Sequence, residues 1–66
     1  MSDTIHLTFP DQSTYKIELE AGNGPAAVDD ILANRGEFKH GWILDKHSER
    51  TWINVRAAMR MELTSG

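Results

Sequence analysis

Two stretches near the start of the chain alternate strictly between apolar and other residues. That pattern limits the fold more than anything else in the sequence. Residues 4–9 place Ile5, Leu7 and Phe9 on one side, and residues 14–20 do the same with Tyr15, Ile17 and Leu19. A period of two in β-branched and aromatic residues marks half-buried strands. Pro10-Asp11-Gln12-Ser13 lies between them, with proline preset for the second position of a type I turn. An antiparallel hairpin follows. Pairing Phe9 with Tyr15, Leu7 with Ile17 and Ile5 with Leu19 keeps all six on one face, whereas a one-residue slip sets Leu7 against Lys16. If the turn closes through a left-handed residue, Gln12 stands where glycine is preferred, at a cost of about 1 kcal/mol.

Ala21-Gly22-Asn23-Gly24-Pro25 ends the second strand and opens a helix. Asn23 or Gly24 suits the cap, Pro25 the first helical position and Gly36 the residue past the end. Val28, Ile31 and Leu32, flanked by Ala27, form one narrow apolar stripe, with Asp29 and Asp30 facing away. A helix of roughly three turns does not stand alone in water, so it must lie on a sheet.

Residues 38–45 and 50–55 read as two more strands joined by the polar loop Lys46-His47-Ser48-Glu49. Pairing Asp45 with Arg50 would group Trp42, Leu44, Ile53 and Val55. A slip of one residue would put both tryptophans on the same face, and the pattern does not choose between the two. Residues 59–63 alternate again, with Met59, Met61 and Leu63 inward, after a turn at Arg56-Ala57-Ala58. Thr64-Ser65-Gly66 is expected to fray. The expected class is α+β in the order β-β-α-β-β-β, with one short helix packed on a small antiparallel sheet. A small, partly closed barrel with a helical insertion is the alternative.

Sixty-six residues suffice for one small domain over 1–66, its ordered core at about 4–63, burying only ~60% of the surface of the unfolded chain. Cysteine is absent, which excludes disulfides, thiol catalysis and Cys-ligated zinc. No apolar run nears the ~18 residues of a membrane span, and the Met-Ser-Asp-Thr start lacks the basic region of a signal peptide. These features suggest a soluble cytoplasmic protein. The formal net charge of −3 hides an asymmetry. Residues 1–33 carry six acids against Lys16 alone, and residues 34–66 carry six bases against four acids.

No chemistry-bearing motif stands out. His6, His40 and His47 lack metal-site spacing, and His47 beside Ser48 is adjacency in a turn rather than a base–nucleophile pair. Glu18 and Glu20 share a strand face roughly 7 Å apart, too far to share a proton. Asp29 and Asp30 point about 100° apart on a helix. Gly22-Asn23-Gly24 lacks the lysine of a phosphate loop, and a turn with a cap accounts for it. No cofactor or metal is implied.

The most informative constellation is Trp42, Arg50, Trp52 and Arg56, with Lys39 and His40 close by. Tryptophan and arginine are enriched at interaction hot spots, and arginine stacks on indole. Filling the core is the plainer use of a tryptophan, but one helix cannot cover both faces of a sheet. At least one of the two is therefore expected to be partly exposed.

The expected function is a non-enzymatic protein-interaction module, binding another protein or a second copy of itself through an uncovered sheet face or edge strand. One version is an inhibitor, of the type made by phages, that covers the nucleic-acid site of a larger enzyme. In it Glu18, Glu20, Asp29 and Asp30 imitate phosphates. The alternative is a weak single-stranded nucleic-acid binder that stacks bases on Trp42 and Trp52. The overall charge and the interleaved Asp45, Glu49 and Glu62 oppose it.

Overall fold

The computed structural model describes residues 2–45, 48 and 50–65. Among them are five strands and one α-helix: β1 (Ser2–Thr8), β2 (Thr14–Glu20), α1 (Gly24–Ala33), β3 (Trp42–Leu44), β4 (Trp52–Asn54) and β5 (Arg60–Ser65). Two 3-10 turns, Gly36–Phe38 and Val55–Ala57, flank the β3–β4 ribbon. The strands form two antiparallel sheets, ordered β2-β1-β5 and β3-β4, and do not close into a barrel. This is a small α+β fold in the expected order.

The β1–β2 hairpin keeps the expected faces but not the expected register. Leu7 lies opposite Tyr15 and Ile5 opposite Ile17, while Asp3 takes the place opposite Leu19. The shift is two residues. Its cause is the turn: Gln12 N donates to the Phe9 carbonyl and Phe9 N to the Ser13 carbonyl, both at 2.9 Å. Phe9 therefore faces Ser13 across a three-residue loop, in which Gln12 adopts φ 71°. Asp11 Oδ1 accepts from the Ser13 amide and hydroxyl and holds the turn from inside.

The inner face of the three-stranded sheet carries Ile5, Leu7 and Ile17, all buried, with Tyr15, Leu19, Met61 and Leu63 around them. Its outer face carries His6, Lys16, Glu18 and Glu62 among threonines, so no second cover is needed there. Helix α1 lies on β1 and β5. The residues it buries are Gly24, Ala27 and Ile31, whereas Leu32 is 70% exposed. The expected Val28–Ile31–Leu32 stripe is thus rotated toward small residues, which let the helix approach closely. A Cβ at Gly24 would stand 2.6 Å from Leu63 Cδ1 and 2.7 Å from Asp3 Oδ2.

Asn23 occupies the N-cap position but makes no side-chain cap bond. The cap comes from β1, where buried Asp3 accepts from the amides of Gly22 and Gly24 through Oδ2. At the other end Asn34, at φ 57°, is the left-handed cap, and Gly36 instead starts the 3-10 turn.

Phe38 and Val55, expected at strand ends, are the buried residues of the two 3-10 turns and close the core beyond the helix. Met59 precedes β5 and is exposed, with its amide donating to the Thr8 carbonyl at 2.9 Å. Thr64 and Ser65 do not fray but pair with Thr4 and Asp3.

A candidate interaction surface

The β3–β4 ribbon resolves the ambiguity of the tryptophans. Trp42 lies opposite Asn54, Ile43 opposite Ile53 and Leu44 opposite Trp52. Asp45 N donates to the Thr51 carbonyl and Val55 N to the Gly41 carbonyl, both at 2.8 Å, which pins this register from either end. Successive strand residues point to opposite faces, so Ile43 and Ile53 share one side and Trp42, Leu44 and Trp52 the other. Ile43 packs on the core, and that contact turns the tryptophan side outward. Trp42, Leu44 and Trp52 are 53%, 49% and 57% exposed. Asp45 opposite Arg50, one of the two pairings considered, is not formed.

Arginine frames this face without crossing it. Arg56 begins where β4 ends, its amide donating to Asn54 Oδ1 at 3.0 Å. Its stem lies over Gly41, where an added Cβ would meet Arg56 Cδ at 2.5 Å. Gly41 also adopts φ 79°, a left-handed backbone that favours glycine. Arg50 is exposed at the distal end of the ribbon, its amide 3.4 Å from Ser48 Oγ. Lys39 and His40 are exposed between the first 3-10 turn and β3.

A groove of about 590 Å³ runs beside β3, bounded by β2, α1 and the first 3-10 turn. Ile17, Ala27, Phe38 and Ile43 line its apolar part, and Trp42 and Leu44 also line it. Its charged lining residues are Glu18, Asp30 and Glu37. The structure therefore brings Glu18 and Asp30 together with Trp42, but Glu20 and Asp29 do not line this groove. Asp30 is also paired with Arg35 at 3.5 Å. Glu37 was not among the residues singled out from the sequence, because it lies in a polar turn where periodicity carries no signal.

His6 Nε2 lies 3.1 Å from Thr64 Oγ1, a contact the sequence did not suggest. Thr64 Oγ1 also donates to the Thr4 carbonyl at 3.4 Å. The contact ties β1 to β5 on the polar face of the sheet. His47 lies outside the described residues. Among those described, no group of three or more His, Asp or Glu side chains is placed to hold a metal ion, and no helix is long and apolar enough to cross a membrane.

The chain exposes 4782 Å², against the ~4,200 Å² of a typical folded monomer of its size. In comparisons with known proteins, no family model, curated protein or solved structure matches it.

Proposed function

We propose that the protein is a non-enzymatic protein-interaction module whose contact face is Trp42, Leu44 and Trp52. The observation that carries the reading is the placement of three large apolar side chains side by side, each about half exposed, on one side of a short ribbon. Singly exposed apolar residues are ordinary, whereas a contiguous group that includes two indoles is characteristic of a docking surface. Arg50 and Arg56 at the two ends supply directional polar contacts at its rim.

The acidic groove next to this face favours a basic partner. An inhibitor that covers the nucleic-acid site of an enzyme is the concrete version, with Glu18 and Asp30 lining the groove beside Trp42. A second reading is supported by the same register, because both indoles on one side make a stacking platform for single-stranded nucleic acid. Glu18, Asp30 and Glu37 beside that platform would repel phosphates, and this favours protein.

The test is comparative capture. Immobilised wild type and Trp52→Ala are challenged with lysate of the source organism, with and without nuclease. The proposal expects a defined protein retained by wild type after nuclease treatment and lost with Trp52→Ala, a hot-spot loss of ~2 kcal/mol or more. Capture that nuclease abolishes supports the nucleic-acid reading, and capture indifferent to Trp52→Ala removes this face from consideration.

A further inference from the structure

We propose that a second copy of the chain pairs with the outer edge of β5, giving an antiparallel dimer about a two-fold axis at Met61. β5 ends its sheet, and no other described strand pairs with its outer edge. Two bonds at the strand ends show which main-chain groups lie there. Phe9 N donates to the Ser13 carbonyl, which turns Phe9 toward β2, and the Thr8 carbonyl accepts from Met59 N, which turns Thr8 toward β5, both at 2.9 Å. Successive strand residues direct their main chain to opposite sides, so Thr8, His6 and Thr4 form the hydrogen-bonded pairs with Arg60, Glu62 and Thr64. The amides and carbonyls of Met61 and Leu63 therefore point away from β1. Neither residue has a hydrogen-bond partner on that side among the described residues.

Charge then selects one register. Arg60 and Glu62 are both exposed on the polar face of this edge, paired with each other at 3.1 Å. With Met61 opposite its own copy, Arg60 of each chain faces Glu62 of the other, twice, and the two existing pairs join into one set of four alternating charges. Moving the axis back by one residue sets Arg60 against Arg60, and moving it forward sets Glu62 against Glu62. Opposite charges across a strand pair attract and like charges repel, so the Met61-centred register is the one in which the facing charges are complementary.

Apolar surface borders the same edge. Outside the tryptophan ribbon, the exposed large apolar residues among those described are Leu32 and Met59. Both line a hollow of about 330 Å³ with Ile31, Val55 and Met61, which places Leu32 on the β5 side of the helix. A two-fold axis normal to the sheet keeps both inner faces on one side. The dimer is then a six-stranded sheet, β2-β1-β5-β5-β1-β2, with both helices over the same face. The partner's Leu63 runs alongside Met59, and the two helices turn Leu32 toward each other. Edge charges commonly guard against such pairing. Here Arg60 lies two residues from Glu62, so under two-fold symmetry the guard becomes its own complement. The contact is isologous and closes at two copies. It does not use Trp52 and stands independently of the proposed contact face.

Sedimentation equilibrium of the full chain, from ~1 µM to ~1 mM, reads the dimer by mass action. The mass should rise from one copy to two and stop there. Arg60→Glu and Glu62→Arg should each weaken dimerisation about tenfold or more, and the double exchange R60E/E62R, which restores opposite charges, should recover it. Leu32→Ala should weaken it severalfold, and Trp52→Ala should leave it unchanged. In wild type, hydrogen exchange at the Met61 amide should slow as the dimer forms. A monomer throughout the range, a dimer indifferent to Leu32→Ala or to the single reversals, no recovery in the double exchange, or unchanged exchange at Met61 would each overturn the proposal.

Discussion

Asp3 Oδ2 accepts the amide hydrogen of Gly24 at 2.9 Å, so the first strand caps a helix that begins 21 residues later. The same oxygen accepts from Gly22 at 3.0 Å. Sheet and helix thus share one buried carboxylate, in a chain with a small core.

Removing that carboxylate should uncouple the two. Asp3→Ala leaves two amides at a helix start without their acceptor, and should cost ~1–3 kcal/mol. Asp3→Asn, which keeps an acceptor but loses the charge, should cost less. Gly24→Ala should also destabilise, by ~1–3 kcal/mol, although alanine is the better helix former. Urea midpoints of the three variants check this. A Gly24→Ala protein more stable than wild type would show that the helix does not approach β5 and Asp3 this closely.

The β1–β2 turn holds an avoidable strain. Gln12 at φ 71° occupies the left-handed region, where a side chain costs roughly 1–2 kcal/mol. Gln12→Gly relieves it while making the unfolded chain more flexible, and should leave a net gain of up to ~1 kcal/mol. A thermal scan showing a lower midpoint would place Gln12 elsewhere in the turn.

Two leucines separate the core from the surface. Leu7 is 1% exposed beneath the helix, and Leu7→Ala should cost ~2–5 kcal/mol, comparable to the whole stability of a domain this small. Leu32→Ala, on the exposed side of α1, should shift stability by less than ~0.5 kcal/mol. Equal effects, measured by denaturant unfolding, would contradict the helix orientation.

Asp11 should report the turn through its titration. The Ser13 hydroxyl, and then the Ser13 amide, donate to its carboxylate and hold its pKa below the ordinary value near 3.8. A depressed folded pKa contributes stability that is complete above the unfolded pKa and lost as pH falls through the folded one. Ser13→Ala should raise the Asp11 pKa toward its ordinary value in an NMR titration. An unchanged titration would mean that the hydroxyl bond is not formed in solution.

The β1–β2 hairpin, its faces and the helix were legible in the sequence because period-two alternation states which side chains turn inward, whereas the expected strands 38–45 and 50–55 shrink to Trp42–Leu44 and Trp52–Asn54 and Met59, expected inward, is exposed. A two-residue register shift preserves that parity, so only the turn could reveal it, through left-handed Gln12. The helix stripe was misjudged because Leu32 looks like core by size, whereas close packing on β1 and β5 selects Gly24 and Ala27. Asp3 left one trace, as the polar residue on the Ile5–Leu7 side of β1. Its partners lie too far along the chain for any local pattern to name. At Trp42-Ile43-Leu44 and Trp52-Ile53, every position is apolar, so parity carried no information and the contact of Ile43 with the core decided the register.

The exposure of Trp42 and Trp52 is the premise on which the functional reading rests. Acrylamide quenching of Trp42→Phe and Trp52→Phe, each leaving one indole, measures it directly at concentrations where the chain is monomeric. Both remaining tryptophans should be quenched readily, as expected for indoles 53% and 57% exposed on one ribbon side. Two indoles shielded from quencher under those conditions would make them ordinary core and contradict the proposed contact face.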